Sequence, residues 1–529
     1  MRSRQRLMSG RSVRLGLLWS LTVLLMGPAA FASPDDPNRP TDRPREAETA
    51  ASASSSRNGP SAPDEESLAL PHFHRSRTKY DEGTQEKQPH HWPDDSVVVL
   101  KKSRYHLDNI LRVPDWLHLG LHQRTRYETL NQPYQKGQTS GEHLVALQTL
   151  PTFGLRYDMF RFFVEGIDAR TVGSSDSFVG TNSFVDQTDL LQLYGGLGSD
   201  NFLGLGLSTE LTIGRQTFDF GSRRLIGRNL FRNTVNAFDG VHWSIGNDKT
   251  WQVRTFAVAP VQRLTVKPDA DAKSLFWGVF LAQRAVTWAH TDLYVYVIED
   301  DTRSGSVPGL KRSLSTPGFR MYKEPAKGEW DYEAETIWQV GKSAVTPNSP
   351  AHSTLAHLQH LQIGYTFDLP WRPNLLLRYD YVSGTRDPNG NTNGRFDTLF
   401  GPTNFEFTPA GIFEPFSRSN ISSPAWKLTL QPTDVMRVSF QHRIFWLAQS
   451  RDQWVNTGLQ DSTGRAGNFL GHFFDARGRW YLSSNLSLES GWCYLVKGDY
   501  TSNLLAAGAP GTPTDRNANY VYVQTVLNF

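Results

Sequence analysis

The chain has 529 residues, with 55 Lys+Arg against 52 Asp+Glu and a formal charge of only +3. That near balance excludes the strongly basic face of a dedicated nucleic-acid binder, so no nucleic-acid partner is expected. A hydrophobic share of 38% excludes a bundle of membrane-spanning helices, whereas 12% aromatics suits a membrane interface. The single cysteine, Cys493, rules out an intramolecular disulfide, so stability must come from an extensive hydrogen-bonded scaffold.

The N-terminus reads as a targeting segment. Arg2, Arg4, Arg6, Arg11 and Arg14 precede the apolar run LGLLWSLTVLLMG, and Ala30-Phe31-Ala32 supplies an A-x-A cleavage site. Residues 1–32 are therefore expected to be a secretory signal peptide. No later run reaches the roughly 18 apolar residues that a spanning helix needs. Residues 33–96 are rich in Pro, Ser and charge and offer little surface to bury, so a disordered leader is expected. His72, His74, His90 and His91 within it read as a solvated linker rather than a metal site.

From 97 to 529 the pattern changes to alternation. WDYEAETIWQV places Trp330, Tyr332, Ala334, Trp338 and Val340 on one face, and Asp331, Glu333, Glu335 and Gln339 on the other. LHLGLHQRTRY and HLQIGYTF alternate likewise, and each is one apolar and one polar ribbon of a strand. WKLTLQPTDVMRVSFQHRIFW reads as a hairpin turning at Gln431-Pro432-Thr433-Asp434, and RWYLSSNLSLESGWCYLV as another turning at Ser483-Ser484-Asn485. Long polar links separate such hairpins, the asymmetry of an outer-membrane barrel. Trp330, Trp426, Trp446 and Trp480 are expected in aromatic girdles at strand ends. The last segment, YVYVQTVLNF, alternates to a terminal Phe529, which resembles the signal read by the outer-membrane insertion machinery. At about 24 residues per strand and loop, 16 to 18 strands are expected, and 18 is favoured. The fold class is thus all-β: a monomeric transmembrane antiparallel barrel with long extracellular loops and short periplasmic turns.

One stretch departs from simple alternation. GRQTFDFGSRRLIGRNLFRNTVNAFDGVHW (Gly214–Trp243) carries Arg215, Arg223, Arg224, Arg228 and Arg232 against Asp219 and Asp239. Guanidinium groups are costly on apolar surface, so these should face water or an anion. This stretch, with its "FDGV" return, and RYDYVSGTRDPNGNTNGRFDTLFGPTN (Arg378–Asn404) resemble the alginate export proteins of the bacterial outer membrane over about Leu111–Phe529. The resemblance implies an 18-stranded barrel whose basic lumen conducts a polyuronate out of the cell.

Strand parity adds Arg124, Arg126, Arg254, Arg378, Arg437 and Arg443 to the inner face, as candidate substrate contacts beside the arginines of the crossing. A series of weak cationic sites would lower the barrier for a polyanion without trapping it. Arginine also stays charged and matches a carboxylate with its planar fork. Asp219, Asp239, Asp331, Glu333, Glu335 and Asp380 are candidate charge partners, and Asp380 is expected to hold a neighbouring arginine in place. The rival reading is a substrate-specific porin taking up small anionic solutes. Outer-membrane lipid and a periplasmic secretion factor are the other expected partners, and no cofactor or metal is expected.

Catalytic signatures are absent from the sequence: no H-E-x-x-H, G-x-S-x-G or P-loop occurs. Ser439 and His442 are close in sequence, but strand parity puts them on opposite faces. Cys493 is expected on the inner wall with Ser487 and Glu489.

Overall fold

The structure, a computed structural model, describes residues 107–529 apart from 115, 175–182, 248–249, 266–268, 272–273, 301–309, 346–347, 404–405 and 410. The expected signal peptide, the leader with its histidines, and the boundary at 97 lie outside the described residues. A short helix, α1 (Leu107–Leu111), precedes the strands.

Strands β1 (Leu117–Leu130), β2 (Glu142–Tyr157), β3 (Phe160–Val172), β4 (Asp186–Ser199), β5 (Ser208–Gln216), β6 (Phe238–Asn247) and β7 (Trp251–Gln262) follow in order. After the two-residue β8 (Ala270–Asp271) come β9 (Ser274–Gln283), β10 (His290–Asp300), β11 (Arg312–Lys323), β12 (Trp330–Ser343), β13 (His352–Thr366) and β14 (Asn374–Val382). A second two-residue strand, β15 (Thr392–Asn393), lies in a loop before β16 (Ile421–Thr433) and β17 (Met436–Leu447). The chain ends with β18 (Phe469–Tyr481), β19 (Leu486–Lys497), helix α2 (Asp499–Ala506) and β20 (Ala518–Asn528).

Each long strand pairs antiparallel with the next, and β20 returns to β1 in the register His122↔Asn528 to Leu130↔Tyr520. Leaving aside β8 and β15, 18 strands close a barrel. Closure matters physically, because an open edge would leave unpaired N–H and C=O groups in hydrocarbon. The strands run from 9 to 16 residues, enough for tilted strands to cross a bilayer. Connections alternate in length. One rim carries tight turns such as those at 158–159 and 434–435; the other carries the loops 217–237, 383–420, 448–468 and 498–517.

The alternation sorts side chains as parity demands. On β12, Trp330, Trp338 and Val340 are exposed on the outer face, while Asp331, Glu333, Glu335 and Gln339 are buried within. Two local expectations need correction. Trp426 sits in the middle of β16, opposite His442, and not at a strand end. The hairpin turn begins at Asp434, because β16 continues to Thr433 through a register shift after Leu430 that absorbs Pro432.

The interior is packed rather than lined only by wall residues. Loops 217–237 and 383–420 fold inward and meet through a parallel bridge between Ile226 and Phe400, with the Phe400 N–H donating to Leu225 O at 2.9 Å. Phe407, Phe413 and Phe416 from the second loop pack on the inward wall aromatics Phe445, Phe473 and Tyr520. Phe416 stacks on Phe445 with ring centroids 3.5 Å apart. Glycines let inward tyrosines lie flat on the wall. A Cβ at Gly491 would come within 2.1 Å of the cross-strand Tyr522 ring, whose hydroxyl donates to Glu489 at 2.6 Å.

Candidate functional site

The arginine-rich crossing is the end of β5, loop 217–237 and the start of β6. At its root Arg215 and Asp239 are cross-strand neighbours and form a two-pronged pair at 2.8 and 2.9 Å. Arg223, in a left-handed conformation (φ 66°), donates to Asp219 at 2.9 Å and to the Arg228 carbonyl at 2.8 Å. Arg228 grips Glu165 on β3 through two bonds of 2.9 Å. Arg224 reaches the other side of the ring, donating to Glu333 of β12 at 2.6 Å and also pairing with Glu335 and Glu406. The crossing is therefore anchored on β3 and β12 at once.

Its return arm lies on β1. Arg124 donates to the carbonyls of Leu230 and Arg232 and to Asn233 Oδ1. Arg126 donates to Glu128 Oε1 at 2.8 Å and to the Phe231 carbonyl, and its guanidinium lies 3.9 Å over the Phe231 ring. Arg232 makes no ion pair among the described residues; it donates to Asn236 Oδ1 and the Thr234 carbonyl. Arg254 donates to the Asp219 carbonyl at 2.7 Å and covers the Phe220 ring.

Around Arg224 lies a buried charge network that sequence parity alone did not assemble. Arg320 joins Glu333 at 2.6 Å to Asp292 at 2.9 Å, Arg284 adds to Asp292 at 2.6 Å, and Arg418 binds Glu406 at 2.6 Å. Burial alone would push the Glu406 carboxyl up, but Arg224 and Arg418 hold it well below the usual carboxylate range. The same carboxylates outweigh the burial of Arg224 and raise its guanidinium well above its ordinary value. Asp380 accepts from Arg443 at 2.6 Å and contacts His360 Nδ1 at 2.6 Å. The anion that these guanidinium groups face is thus a carboxylate of the protein at Arg215, Arg223, Arg224 and Arg228, as it is on the wall at Arg443. The physical reason is that infolded loops bring protein anions to them, which no local pattern encodes.

A different population sits on β14–β18. Arg378 is buried, bonds only the Gln362 side-chain oxygen (2.9 and 3.1 Å), and has no partner for its Nη1. Lys427 points inward with the same parity as Ser423 and Thr429, has Arg477, Arg378, Asp475 and Arg443 in its surroundings, and its side chain makes no ion pair or hydrogen bond among the described residues. Arg437 is buried on the inner face and stands directly opposite Arg479 in the β17–β18 register. Arg479 is bound to Glu489 at 2.6 Å and Arg477 to Asp475 at 2.9 Å. The candidate contacts read from the sequence do not include Lys427, Arg477 or Arg479, although parity puts Lys427 on the polar face of its strand. Their signal was present in WKLTL and DARGRWY, where they alternate with outward Trp426 and Trp480.

Elsewhere, Ser439 is buried inside while His442 lies on the outer face against Phe474 and His472, so the two do not meet. Cys493 is fully buried on the inner wall with its Sγ 3.8 Å from Asp475.

The alginate export family matches residues 115–507, most of the chain. Among solved structures, OccK8 (OprE) of Pseudomonas aeruginosa shares the fold with a TM-score of 0.52 at 9% identity, over 78% of this chain and 98% of that one. OccD3 (OpdP) of Pseudomonas aeruginosa gives 0.51 at 10% identity, over 78% and 91%. OccAB3 of Acinetobacter baumannii gives 0.50 at 11% identity, over 78% and 99%. At such identities the likeness concerns the barrel alone. No curated protein matches the chain. A closed 18-stranded barrel matched by this family over residues 115–507 makes the chain an outer-membrane channel belonging to the alginate export family.

Proposed function

We propose that the channel passes an anionic polysaccharide of the polyuronate type outward, along the inner face of β14–β18. The observation that carries this reading is the pair Arg378 and Lys427, inward cations whose side chains form no ion pair with a carboxylate among the described residues. Family membership supports a polyuronate as cargo. A polymer bearing roughly one charge per sugar gains from fixed cations spaced along its path, each too weak to hold it. In this reading Arg437, beside Arg479, extends the path toward the short-turn rim, which faces the periplasm. Arg124, Arg126, Arg215, Arg223, Arg224, Arg228, Arg232, Arg254 and Arg443 hold the infolded loops that narrow the conduit. The N-terminal signal peptide delivers the chain to the envelope, where a periplasmic secretion partner feeds the polymer, and no step needs a cofactor or enzymatic activity.

Planar-bilayer recording of the full chain tests the proposal. The expected result is an anion-selective pore that polyuronate oligomers block, with Arg378→Ser plus Lys427→Ser relieving the block. A cation-selective pore indifferent to polyuronate overturns it. Anion selectivity with block by small carboxylates only would instead support the uptake reading.

A further inference from the structure

At the start of β4 the backbone leaves regular pairing. The β3–β4 register shifts so that Ile167 pairs with Asp189 but Ala169 with Asp186. Within this bulge Thr188 takes φ 52°, a costly conformation for a β-branched residue. Bulges re-aim side chains, and this one brings carboxylate oxygens of Asp186 and Asp189 within 4.8 Å of each other and of Asp269, which lies in loop 263–273 after β7. That loop is tied down at the same place. Gln187 N–H donates to Thr265 O at 3.2 Å, and Asp269 N–H donates to Asp189 Oδ2 at 2.6 Å.

The hydrogen bonding of the three acids is unequal. Asp189 accepts from Leu190 N–H and Asp269 N–H, and Asp269 accepts from Leu264 N–H. Asp186 is only 1% exposed and its Oδ1 has no partner. Among the described residues no arginine or lysine forms an ion pair with any of the three. A buried carboxylate without a donor, beside two more carboxylates, is strongly disfavoured unless something cationic completes the set.

We propose that Asp186, Asp189 and Asp269 bind a calcium ion that clasps loop 263–273 to the start of β4. Oxygen-only ligands in an irregular, water-accessible arrangement select a hard divalent cation and tolerate calcium's flexible coordination better than magnesium's strict octahedron. The site lies on the long-loop rim, which rests outside the cell in the reading above, where weak extracellular calcium sites work. Arg263 and Arg215 lie close enough to offset the remaining negative charge. The clasp also bears on the arginine crossing, because Arg263 and Arg232 both donate to Asn236 Oδ1 at the end of loop 217–237.

Calorimetric titration of lipopolysaccharide-free, detergent-solubilised full chain with CaCl2 tests this, alongside hydrogen exchange in calcium and in EGTA. The expected result is one saturable site with a Kd of about 0.1–1 mM, with at least tenfold faster exchange across 263–273 in EGTA. Asp186→Asn should abolish both effects while the barrel keeps its heat-modifiable gel mobility. Asp269→Asn, placed outside the strands of the barrel ring, should do the same and guards against a folding defect in the first variant. Absence of saturable binding by the native chain, or unchanged binding in Asp269→Asn, overturns the proposal. Failure of polyuronate block with calcium binding intact would leave the site standing and the cargo reading refuted.

Discussion

Arg224 brings one positive charge into contact with Glu333, Glu335 and Glu406, in a setting where its side chain is 2% exposed. Taking away one partner of a buried ion pair leaves the others uncompensated, which costs about 3–5 kcal/mol. Arg224→Ala is therefore expected to loosen loop 217–237 by that order, and urea titration followed by loop proteolysis will read it. Arg224→Lys should recover only part of the loss, because an ammonium group cannot span three carboxylates as a guanidinium fork does. Gly491 makes the opposite kind of demand. Gly491→Val drives a side chain into the Tyr522 ring and should cost about 1–3 kcal/mol through overpacking. Its signature would be a lower thermal transition, with no change in strand content by circular dichroism.

At the scale of the element, the crossing behaves as a strut. Its arginines fasten it to β3 through Glu165, to β12 through Glu333 and Glu335, and to loop 383–420 through Glu406. Replacing Arg223, Arg224 and Arg228 together by Ser is expected to undock the strut while the wall, whose ladder they do not enter, still assembles. Single-channel conductance should rise and anion selectivity fall. A barrel that fails to form would assign those arginines to folding instead. The strut should also resist mild acid. Glu406 has a folded value well below that of a free carboxylate, so its stabilising contribution is present above the unfolded pKa of about 4.3 and is lost only as pH falls through the lower folded value. Conductance is expected to be constant from about pH 8 to about pH 5; a stepwise increase within that window would mean that another group controls docking.

At the scale of the whole molecule, closure is the decisive event. Phe529 extends the β20–β1 seam, exchanging backbone hydrogen bonds with Leu121 at 2.9 and 3.0 Å. Deleting Phe529 removes both bonds, exposes a strand edge to lipid and should slow membrane insertion, measurable as a larger unfolded fraction on heat-modifiability gels. Normal surface assembly of that variant would show that the seam closes without it.

Much of this was legible along the chain. Period-two alternation, tight turns set against long links, and chain length define the barrel, its inner and outer faces and its strand number, because a strand's faces follow from local parity and a bilayer demands a closed ladder. Arg378, Arg437 and Lys427 can be placed inside by that rule, and Arg479 obeys it too. Nothing local reveals that Arg224 meets Glu406, or that Asp186 meets Asp269. Such contacts join residues far apart in sequence, brought together only when infolded loops cross a closed ring. The wall follows from local pattern alone. Which of its charges neutralise one another and which stay free for a passing anion was decided by tertiary structure, since only the fold sets the distances over which charges act.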